Sequence, residues 1–426
     1  MKILIENLIK QDQLFDTDAA DSLGEGNEGE IYKIPEEYLV SSNDKNNNNL
    51  VKIYYDDADE DVLTLRQDKG MLLVDKYRDF VRSLEHETGW SASQFAFPEH
   101  TAVDAENKKY AGFSMQDMGR YSTLDNFIFN FNKNKIINVE TGFEMSDEDA
   151  AELCYNITYG VSRLHKINII LGDLNERNIL YNIDKKMPSF VDIDSAQVES
   201  FSSTAYTPEI LDPSINRKRL DGTSDQEGAY EYSVLSDIFA MAVNFYRLLT
   251  GSHPTFFRAN NKEGGAAKLT KNKIFFLRAR HDKYFLKSSG IELLDNSELE
   301  KRLDELNKKF PDIYKYFLDI FVNDKRYYLT ELLPQSDFRN PNYSDYIKAA
   351  QDYDYENDTA VPDVTDLNSS IVKDSGFTYG EFKLAEWLNK INLRHTNGMN
   401  DSDAFKFFVN NIGYDYDQLF NEILNI

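Results

Sequence analysis

A single cysteine, Cys154, stands among the 426 residues, and no apolar run approaches the ~18 residues that a membrane-spanning helix needs. One thiol excludes an internal disulfide and any multi-thiolate metal site. Basic residues are also few: 47 Lys and Arg stand against 73 Asp and Glu, for a formal charge of −26. Because nucleic acids and anionic membranes are bound by clustered cations, neither is expected as a partner. The first residues are interrupted by Glu6 and Asn7 and lack a small-residue cleavage site, so we expect a soluble, cytoplasmic protein without a secretory signal.

Hydrophobic residues nevertheless make up 41% of the chain and aromatic residues 13%, enough for a sizeable core and too many for an acidic disordered protein. At about 150 residues per domain, the length predicts two or three domains. Residues 1–118 contain strand-like runs around one helix, and residues 119–345 are predicted to be mainly helical. Residues 346–426 are predicted to hold an acidic loop followed by two helices, at 379–392 and 402–411.

Helical spacing of apolar residues is clearest in three segments. The first covers residues 60–84, and the second, 147–166, has Ser146 as an N-cap and acids in its first turn. The third, 235–250, is strongly apolar and is stopped by Gly251. Further predicted elements are strands at 179–183 and 189–193 and helices at 297–309 and 311–323.

A glycine-rich run, with Gly24, Gly26 and Gly29, lies on a predicted strand–turn–strand. Glycines let backbone amides approach phosphate oxygens without a Cβ in the way. A dinucleotide-binding fingerprint would open a helix, whereas Ile31 and Ile34 continue as a strand. Taken alone, an ordinary tight hairpin explains this run equally well.

Lys52 lies between Val51 and Ile53 in a compact apolar strand. Because side chains alternate along a strand, Lys52 points away from its two neighbours. A buried ammonium needs an anionic partner, such as a ligand phosphate or a carboxylate. A solvated lysine on an edge strand is the competing interpretation.

Asp173 and Asn178 lie five residues apart in a loop between a helix and a strand. This pattern suits phosphoryl transfer, since a carboxylate can deprotonate an attacking hydroxyl while an amide oxygen binds a divalent metal. Asp192, 14 residues after Asn178, closes a short strand, where its carboxylate suits Mg²⁺. A chance loop and a solvated acidic turn are the respective alternatives.

In this order the four features resemble the eukaryotic-like protein kinase superfamily, and most of all its bacterial serine/threonine members. Thr207-Pro208-Glu209 is similar to the end of a kinase activation segment, and 236–240, with Asp237, looks like the central helix of the large lobe. The resemblance covers about residues 15–345. It implies an α+β, bilobal protein-kinase-like fold: a β-rich N-lobe in 1–118, a helical C-lobe in 119–345 and a C-terminal helical extension.

The resemblance also implies ATP and Mg²⁺ as cofactors and assigns roles residue by residue. Asp173 would be the catalytic base, Asn178 and Asp192 the metal ligands, and Lys52 the partner of the α- and β-phosphates. Met115 would be the gatekeeper, followed by a hinge at 116–118. The residues implied around the nucleotide are Leu23, Gly24, Gly26, Gly29, Ile31, Met115, Met118 and Leu180.

Several positions depart from the kinase pattern. Leu171-Gly172 precedes Asp173 in place of His-Arg, so we predict activity without phosphorylation of the loop. Asn175 stands where a lysine is usual. Asp194 is either a second metal ligand or a turn residue. The helix carboxylate that would pair with Lys52 is unassigned, with Glu60 and Asp68 as candidates, and Glu209 would pair with one of three arginines: Arg278, Arg280 or Arg326.

The leading hypothesis is an ATP- and Mg²⁺-dependent protein kinase that phosphorylates Ser or Thr hydroxyls of a protein substrate. The alternatives are a small-molecule kinase of the aminoglycoside or choline type, and a pseudokinase scaffold. Residues 346–426 either pack on the large lobe or bind a docking partner.

Overall fold

The computed structural model describes residues 1–332 except for residues 6–7, 11–12, 21, 26–28, 41–49, 56–59, 85–89, 120, 200, 204, 216, 220–227 and 231. Gly26 of the glycine-rich run and the whole predicted extension at 346–426 therefore lie outside the described residues. Within the described part, no helix is both long and apolar enough to cross a membrane.

A curled antiparallel sheet of seven strands dominates the first part of the described chain, in the spatial order β2-β1-β6-β7-β5-β4-β3. Its central strands are short and rich in β-branched and aromatic residues, which favour a pleated, buried surface. The strands are β1 (Lys2–Ile5), β2 (Phe15–Asp16), β3 (Ser22–Glu25), β4 (Gly29–Lys33), β5 (Leu50–Tyr54), β6 (His100–Asp104) and β7 (Tyr110–Met115).

The predicted helix over residues 60–84 is confirmed as α1 (Glu60–Leu84), which connects β5 to β6 and packs on β6 and β7. Its buried face includes Leu73 and Phe80, and the Phe80 ring lies 4.7 Å from that of Phe95. On β5, Val51 and Ile53 belong to one apolar cluster, with Ile3 and Ile5 among its members. Alternation therefore directs Lys52 to the opposite face of this sheet.

The second part of the described chain is mainly helical around two long helices. Ser146 caps α2 (Asp147–Lys166) as predicted, by accepting a hydrogen bond from Asp149 N at 3.0 Å. The apolar helix α3 (Val234–Thr250) is nearly all buried and ends at Gly251, which has a φ of 68°. The other helices are α4 (Ala266–Lys271), α5 (Phe276–His281), α6 (Lys283–Ser289), α7 (Ser297–Lys309) and α8 (Pro311–Phe321).

Small sheets connect these helices. The hairpin that carries the predicted metal residues is formed by β13 (Ile179–Asn182) and β14 (Met187–Phe190), with β8 (Ser122–Thr123) at its edge. The remaining strands are β9 (Phe127–Asn130), β10 (Lys135–Asn138), β11 (Glu144–Met145), β12 (Ile169–Ile170), β15 (Gln197–Val198), β16 (Arg217–Arg219), β17 (Gly228–Tyr230), β18 (Ala259–Asn260) and β19 (Glu292–Leu293).

The start of the segment predicted as mainly helical differs from that expectation. Residues 122–145 form strands, including the three-stranded sheet β11-β10-β9. The reason is that burial alternates with a period of two residues, as in a strand: Phe127 and Phe129 are buried, while Ile128 between them is exposed. The turn between β9 and β10 contains Asn134 at a φ of 51°, a conformation that asparagine tolerates.

Arg302, in the middle of α7, connects the start of α2 to the end of α3. Its guanidinium donates to both oxygens of Asp147, at 3.0 and 2.8 Å, and to the carbonyl of Leu249 at 2.7 Å. Burial disfavours the ionised form of Asp147, but hydrogen bonds from Arg302 and Lys309 outweigh it and lower the carboxyl pKa. The first turn of α2 is therefore held to the end of α3 and to α7 by an ionised, partly buried pair.

We expect Asp147→Asn to lower the free energy of unfolding at pH 7 by about 3 kcal/mol, because Arg302 stays buried without its counter-charge. Since the folded-state pKa of Asp147 is depressed, the pair stabilises the fold above the ordinary carboxyl range. That contribution is lost as the pH falls through the depressed pKa. Urea unfolding at pH 7 and pH 3 should therefore show a difference between wild type and variant that shrinks at pH 3.

Asp304→Asn is the matched control, because its partner Arg280 forms an exposed pair at 3.2 Å. This control should change stability by less than about 0.5 kcal/mol. Equal losses in the two variants would contradict the proposed importance of the Arg302 pair.

The ion pair predicted for Glu209 is not formed among the described residues. Arg326 Nε lies 3.1 Å from Asp212 Oδ2, Arg278 pairs with Asp282, and Arg280 pairs with Asp304. Asp212 is only 2% exposed, so its carboxylate is the one that Arg326 neutralises in the interior. Glu209 instead contributes its backbone carbonyl, which accepts hydrogen bonds from His253 at 3.2 Å and Thr270 at 3.1 Å.

We predict that Asp212→Asn destabilises the protein by about 3 kcal/mol, since it leaves the Arg326 charge without its buried partner. Glu209→Gln should change the free energy of unfolding by less than about 0.5 kcal/mol, because its side chain forms no such pair. Urea unfolding of the two variants measures this contrast, and the reverse order of stability would restore the original assignment.

Candidate functional site

Lys52 lies at the centre of the site. Its position on β5 is fixed by register, opposite Ile31 of β4 and Phe113 of β7. The ammonium Nζ lies 2.7 Å from Asp194 Oδ2 and 3.4 Å from Asp192 Oδ1, although these residues are more than 130 positions away in sequence. Lys52 is 8% exposed, so the expectation that it is buried with an anionic partner is met.

Asp192, two residues after the end of β14, adopts a left-handed backbone conformation, with φ 60° and ψ 32°. This conformation is costly for a residue with a side chain and persists where the surroundings enforce it, often at functional sites. Ser195 enforces it by donating from its N and Oγ to the Asp192 carbonyl, at 3.1 and 2.7 Å. The side chain of Asp192 is 40% exposed and lies 3.4 Å from Lys52 Nζ.

Asp194, two residues later, is buried. Burial raises its pKa, but the charge and hydrogen bond of Lys52 and the more distant charge of Lys69 outweigh it, so the pKa is lowered. Tyr54 donates its hydroxyl to the same Asp194 oxygen at 3.2 Å. Of the two α1 carboxylates considered as partners of Lys52, Asp68 is exposed, and the side chain of Glu60 lies outside the described part.

Residues 171–178, which we call the Asp173 loop, are hydrogen-bonded to side chains of α3. The completely buried Asp237 accepts hydrogen bonds from the backbone N–H groups of Leu171 and Gly172, both at 2.8 Å. Asn244, two turns further along α3, donates to the Leu174 carbonyl at 2.8 Å. The backbone on both sides of Asp173 is therefore fixed by side chains of one buried helix.

The Asp173 carboxylate has one occupied and one open oxygen. Its Oδ2 accepts a hydrogen bond from Asn175 at 3.1 Å, while its buried Oδ1 has no hydrogen-bond partner among the described residues. Asn175 also lies 3.3 Å from the Thr207 hydroxyl, which connects Asp173 to the 207–209 segment. An orphaned buried acceptor of this kind suits a hydroxyl donor from a substrate.

Asn178 and Asp192 lie at the same end of the β13–β14 hairpin. Ile179 pairs with Phe190, and Val191 N donates to the Asn178 carbonyl at 3.1 Å. The Asn178 amide nitrogen donates to the Asp173 carbonyl at 2.9 Å, which leaves its amide oxygen available. An amide oxygen and an exposed carboxylate fit a Mg²⁺ that takes its other ligands from phosphates and water.

No denser cluster of metal ligands is found elsewhere among the described residues, where no three His, Cys, Asp or Glu side chains could hold a metal ion together.

Four of the residues predicted around the nucleotide meet in one apolar cluster next to Lys52. Ile31, Met115, Met118 and Leu180 pack there together with Phe113 and other apolar residues. These side chains come from the sheet, from the segment after β7 and from β13. They form an apolar surface of the kind that a planar aromatic ring would contact.

The other described residues predicted around the nucleotide, Leu23, Gly24 and Gly29, are not members of this cluster. Leu23 is 57% exposed, and a Cβ on Gly24 would meet open space. A Cβ on Gly29 would come within 2.2 Å of the Ile53 carbonyl oxygen, so the close approach of β4 to β5 requires glycine there. Gly26 lies outside the described residues.

Sequence reasoning missed several residues that support the site. His165 bonds to Asp237 through Nε2 at 2.9 Å and to the Tyr328 hydroxyl through Nδ1 at 2.7 Å. Lys76 of α1 binds Glu199 at 2.9 Å. These contacts join residues far apart in sequence, so no local pattern could have revealed them.

Comparisons with known proteins give partial similarities. No family model matches the chain. Over 123 residues, 26% of this chain and 7% of the relative, it is 32% identical to the probable serine/threonine-protein kinase irlD of Dictyostelium discoideum. Over 174 residues, 37% of this chain and 11% of the relative, it is 27% identical to the probable serine/threonine-protein kinase irlC of the same organism.

The aligned segments are thus a small part of both relatives. They support a similarity to proteins of the protein-kinase-like superfamily over these segments. Both relatives come from Dictyostelium, so the resemblance to bacterial kinases in particular stays a prediction.

Gly172→Ala tests how tightly the Asp173 loop is held. Gly172 has a φ of 71°, and a Cβ there would lie 2.7 Å from the Tyr232 ring. Backbone strain and this contact together should destabilise the protein by roughly 2–4 kcal/mol. Gly142→Ala, at a φ of 73° with nothing within 4 Å, carries the strain alone and should cost about 1–2 kcal/mol. Urea unfolding that gives equal losses would show that the Tyr232 contact is unimportant.

Proposed function

We propose that this chain is an ATP- and Mg²⁺-dependent protein kinase that transfers the γ-phosphate to a Ser or Thr hydroxyl. One observation carries the proposal. Lys52 Nζ and Asp192 Oδ1, from residues 140 positions apart in sequence, lie 3.4 Å from each other. They lie beside the apolar cluster that contains Met115 and Leu180, and beside the β13–β14 hairpin, which Asn178 directly precedes. A phosphoryl-transfer site needs this combination of a fixed cation, metal-binding oxygens and an apolar surface for a base.

We propose a bilobal arrangement for the fold. Strands β3 to β7 and helix α1 form a small unit around Lys52, and α2 and α3 form the centre of a larger helical unit. Residues 116–118 connect them, and Gln116 is fixed by a hydrogen bond to Glu99 at 2.9 Å. The position of Lys52 on the sheet and of Asp173 beside α3 supports a cleft between the two units.

In the proposed reaction, the acceptor hydroxyl attacks the γ-phosphorus, its proton passes to Asp173 Oδ1, and ADP leaves. The orphaned Oδ1 supports this role, and Asn175 holds the other carboxylate oxygen. Lys52 would bind the α- and β-phosphates. Asn178 and Asp192 would hold Mg²⁺, which neutralises phosphate charge when bound. The fixed backbone of the Asp173 loop limits reorganisation during transfer.

A protein substrate is favoured by the names of the two Dictyostelium relatives, both described as serine/threonine-protein kinases. The ordered 207–209 segment also supports it, because Asn175 connects Thr207 to Asp173 and so links this segment to the acceptor site. Small-molecule acceptors remain the main alternative for the experiment to separate.

The test is phosphate transfer from γ-labelled ATP with Mg²⁺, using generic basic proteins, the protein itself, aminoglycosides and choline as acceptors. We expect label on Ser or Thr of protein. Asp173→Asn and Asp192→Asn should each lower the rate about 10²–10⁴-fold, since one removes the base and the other a metal ligand. Asp184→Asn, an exposed turn residue of the same hairpin, should transfer at the wild-type rate.

Label on a small molecule would replace the protein-kinase assignment by the small-molecule one. Absence of transfer with every acceptor, together with no thermal stabilisation by Mg²⁺-ATP, would contradict the proposed activity.

A further inference from the structure

Helix α1 carries three basic residues on the face that packs against the rest of the protein. Arg66, Lys69 and Lys76 follow a spacing that places them on one face, together with the buried Leu73. The Arg66 guanidinium lies 4.8 Å from the centre of the Tyr54 ring. This part of the face is therefore cationic.

The opposing anions lie on the segment that follows Asp192. Lys76 Nζ is 2.9 Å from Glu199 Oε1 and also donates to the Ile167 carbonyl at 2.8 Å. The positive charge of Lys69 adds to that of Lys52 in lowering the Asp194 pKa. The charge signs at this interface are therefore positive on the helix and negative on the loop.

We propose that Asp194 is the positioning residue for Lys52: its carboxylate, on the loop after Asp192, holds the ammonium in place, and α1 docks onto the segment that follows through Lys76. The inference deepens the proposed function and rests on it for its catalytic meaning. The contacts themselves do not depend on that function.

The geometry favours Asp194 over Asp192 for this task. The distance from Lys52 Nζ is 2.7 Å to Asp194 and 3.4 Å to Asp192, and the Asp194 side chain is 5% exposed against 40% for Asp192. An ion pair away from solvent is screened less, so the shorter and more buried contact fixes the ammonium more firmly. We therefore assign ligand binding to the more exposed carboxylate, that of Asp192.

The same contacts argue against Asp194 as a second metal ligand. Its Oδ2 already accepts hydrogen bonds from both Lys52 and Tyr54. The location of Asp194 in the 3₁₀ turn Ile193–Ser195 agrees with the interpretation as a turn residue, to which we add the positioning role.

One consequence is that Lys52 and Asp192 are coupled through a single turn. Asp194 lies in the 3₁₀ turn Ile193–Ser195, and Ser195 binds the Asp192 carbonyl. A movement of this turn would displace the phosphate-binding cation and the proposed metal ligand together.

The first test measures the reactivity of Lys52 and needs no kinase activity. Acetic anhydride acylates neutral amines, and a neighbouring carboxylate favours the unreactive ammonium form. Peptide mass spectrometry should show acylation of Lys52 at least fivefold faster in full-length Asp194→Asn than in wild type. Asp194→Glu, which keeps the charge, should give an intermediate rate.

Asp68→Asn is the matched control, because Asp68 is an exposed carboxylate on α1. It should leave Lys52 acylation unchanged. Labelling of Lys315, which pairs with Asp319 far from the site in sequence, reports whether each variant stays folded. Equal Lys52 rates in wild type and a folded Asp194→Asn would overturn the proposal. If the Asn variant unfolds, Asp194→Ser takes its place, and a wild-type rate in that folded variant would overturn the proposal.

The second test measures transfer. Asp194→Asn should lower kcat/KM for ATP about 100-fold, because Lys52 is no longer held at the phosphates, while Asp194→Glu retains at least tenfold more activity than Asp194→Asn. A wild-type rate in Asp194→Asn would overturn the positioning role. If the wild type transfers no phosphate but Lys52 acylation still responds to Asp194, the pairing stands and the proposed function falls.

Discussion

The carboxylate of Asp237 lies in the interior with no exposed surface, and a carboxylate there is tolerated only when donors converge on it. Two of those donors are the backbone N–H groups of Leu171 and Gly172, and the third partner is the ring of His165 at the end of α2. The cost of an unsatisfied buried charge thus fixes the loop before Asp173 relative to two helices. The loop that carries Asp173 is therefore positioned by hydrogen bonds that connect it, through Asp237, to two helices.

The same constraint continues toward the sheet through successive contacts. The Asp173 loop leads into β13, whose first residue is preceded by Asn178, and Asn178 binds the backbone that leads to Asp192. The turn after Asp192 carries Asp194, which holds Lys52 on β5. Each step is a short, directional contact between buried or half-buried groups. The distance between the proposed base and the proposed phosphate-binding lysine is therefore set by a chain of fixed elements, without dependence on a flexible connection.

Which features of the fold and the site can be predicted from the sequence depends on how far apart in the chain the interacting residues lie. The helix at 60–84 and the Ser146 cap follow from spacing and turn chemistry within a few residues, and both are confirmed. The order of the glycine-rich run, Lys52, Asp173 and Asp192 also predicts which residues approach one another. Ion pairs cannot be predicted in this way, because the partners are distant in sequence: more than 100 residues separate Asp194 from Lys52, and likewise Asp212 from Arg326. A single sequence contains no signal that distinguishes such partners from neighbouring carboxylates.

Charge balance at the site bears on how a strongly acidic protein could receive the proposed nucleotide. Lys52 lies against both Asp192 and Asp194, in a chain whose formal charge is −26. Because Asp194 already neutralises Lys52, the proposed Mg²⁺ at Asn178 and Asp192 would supply the additional attraction for phosphates. For the proposed reaction, this balance favours entry of the nucleotide together with its Mg²⁺ over entry of the free anion.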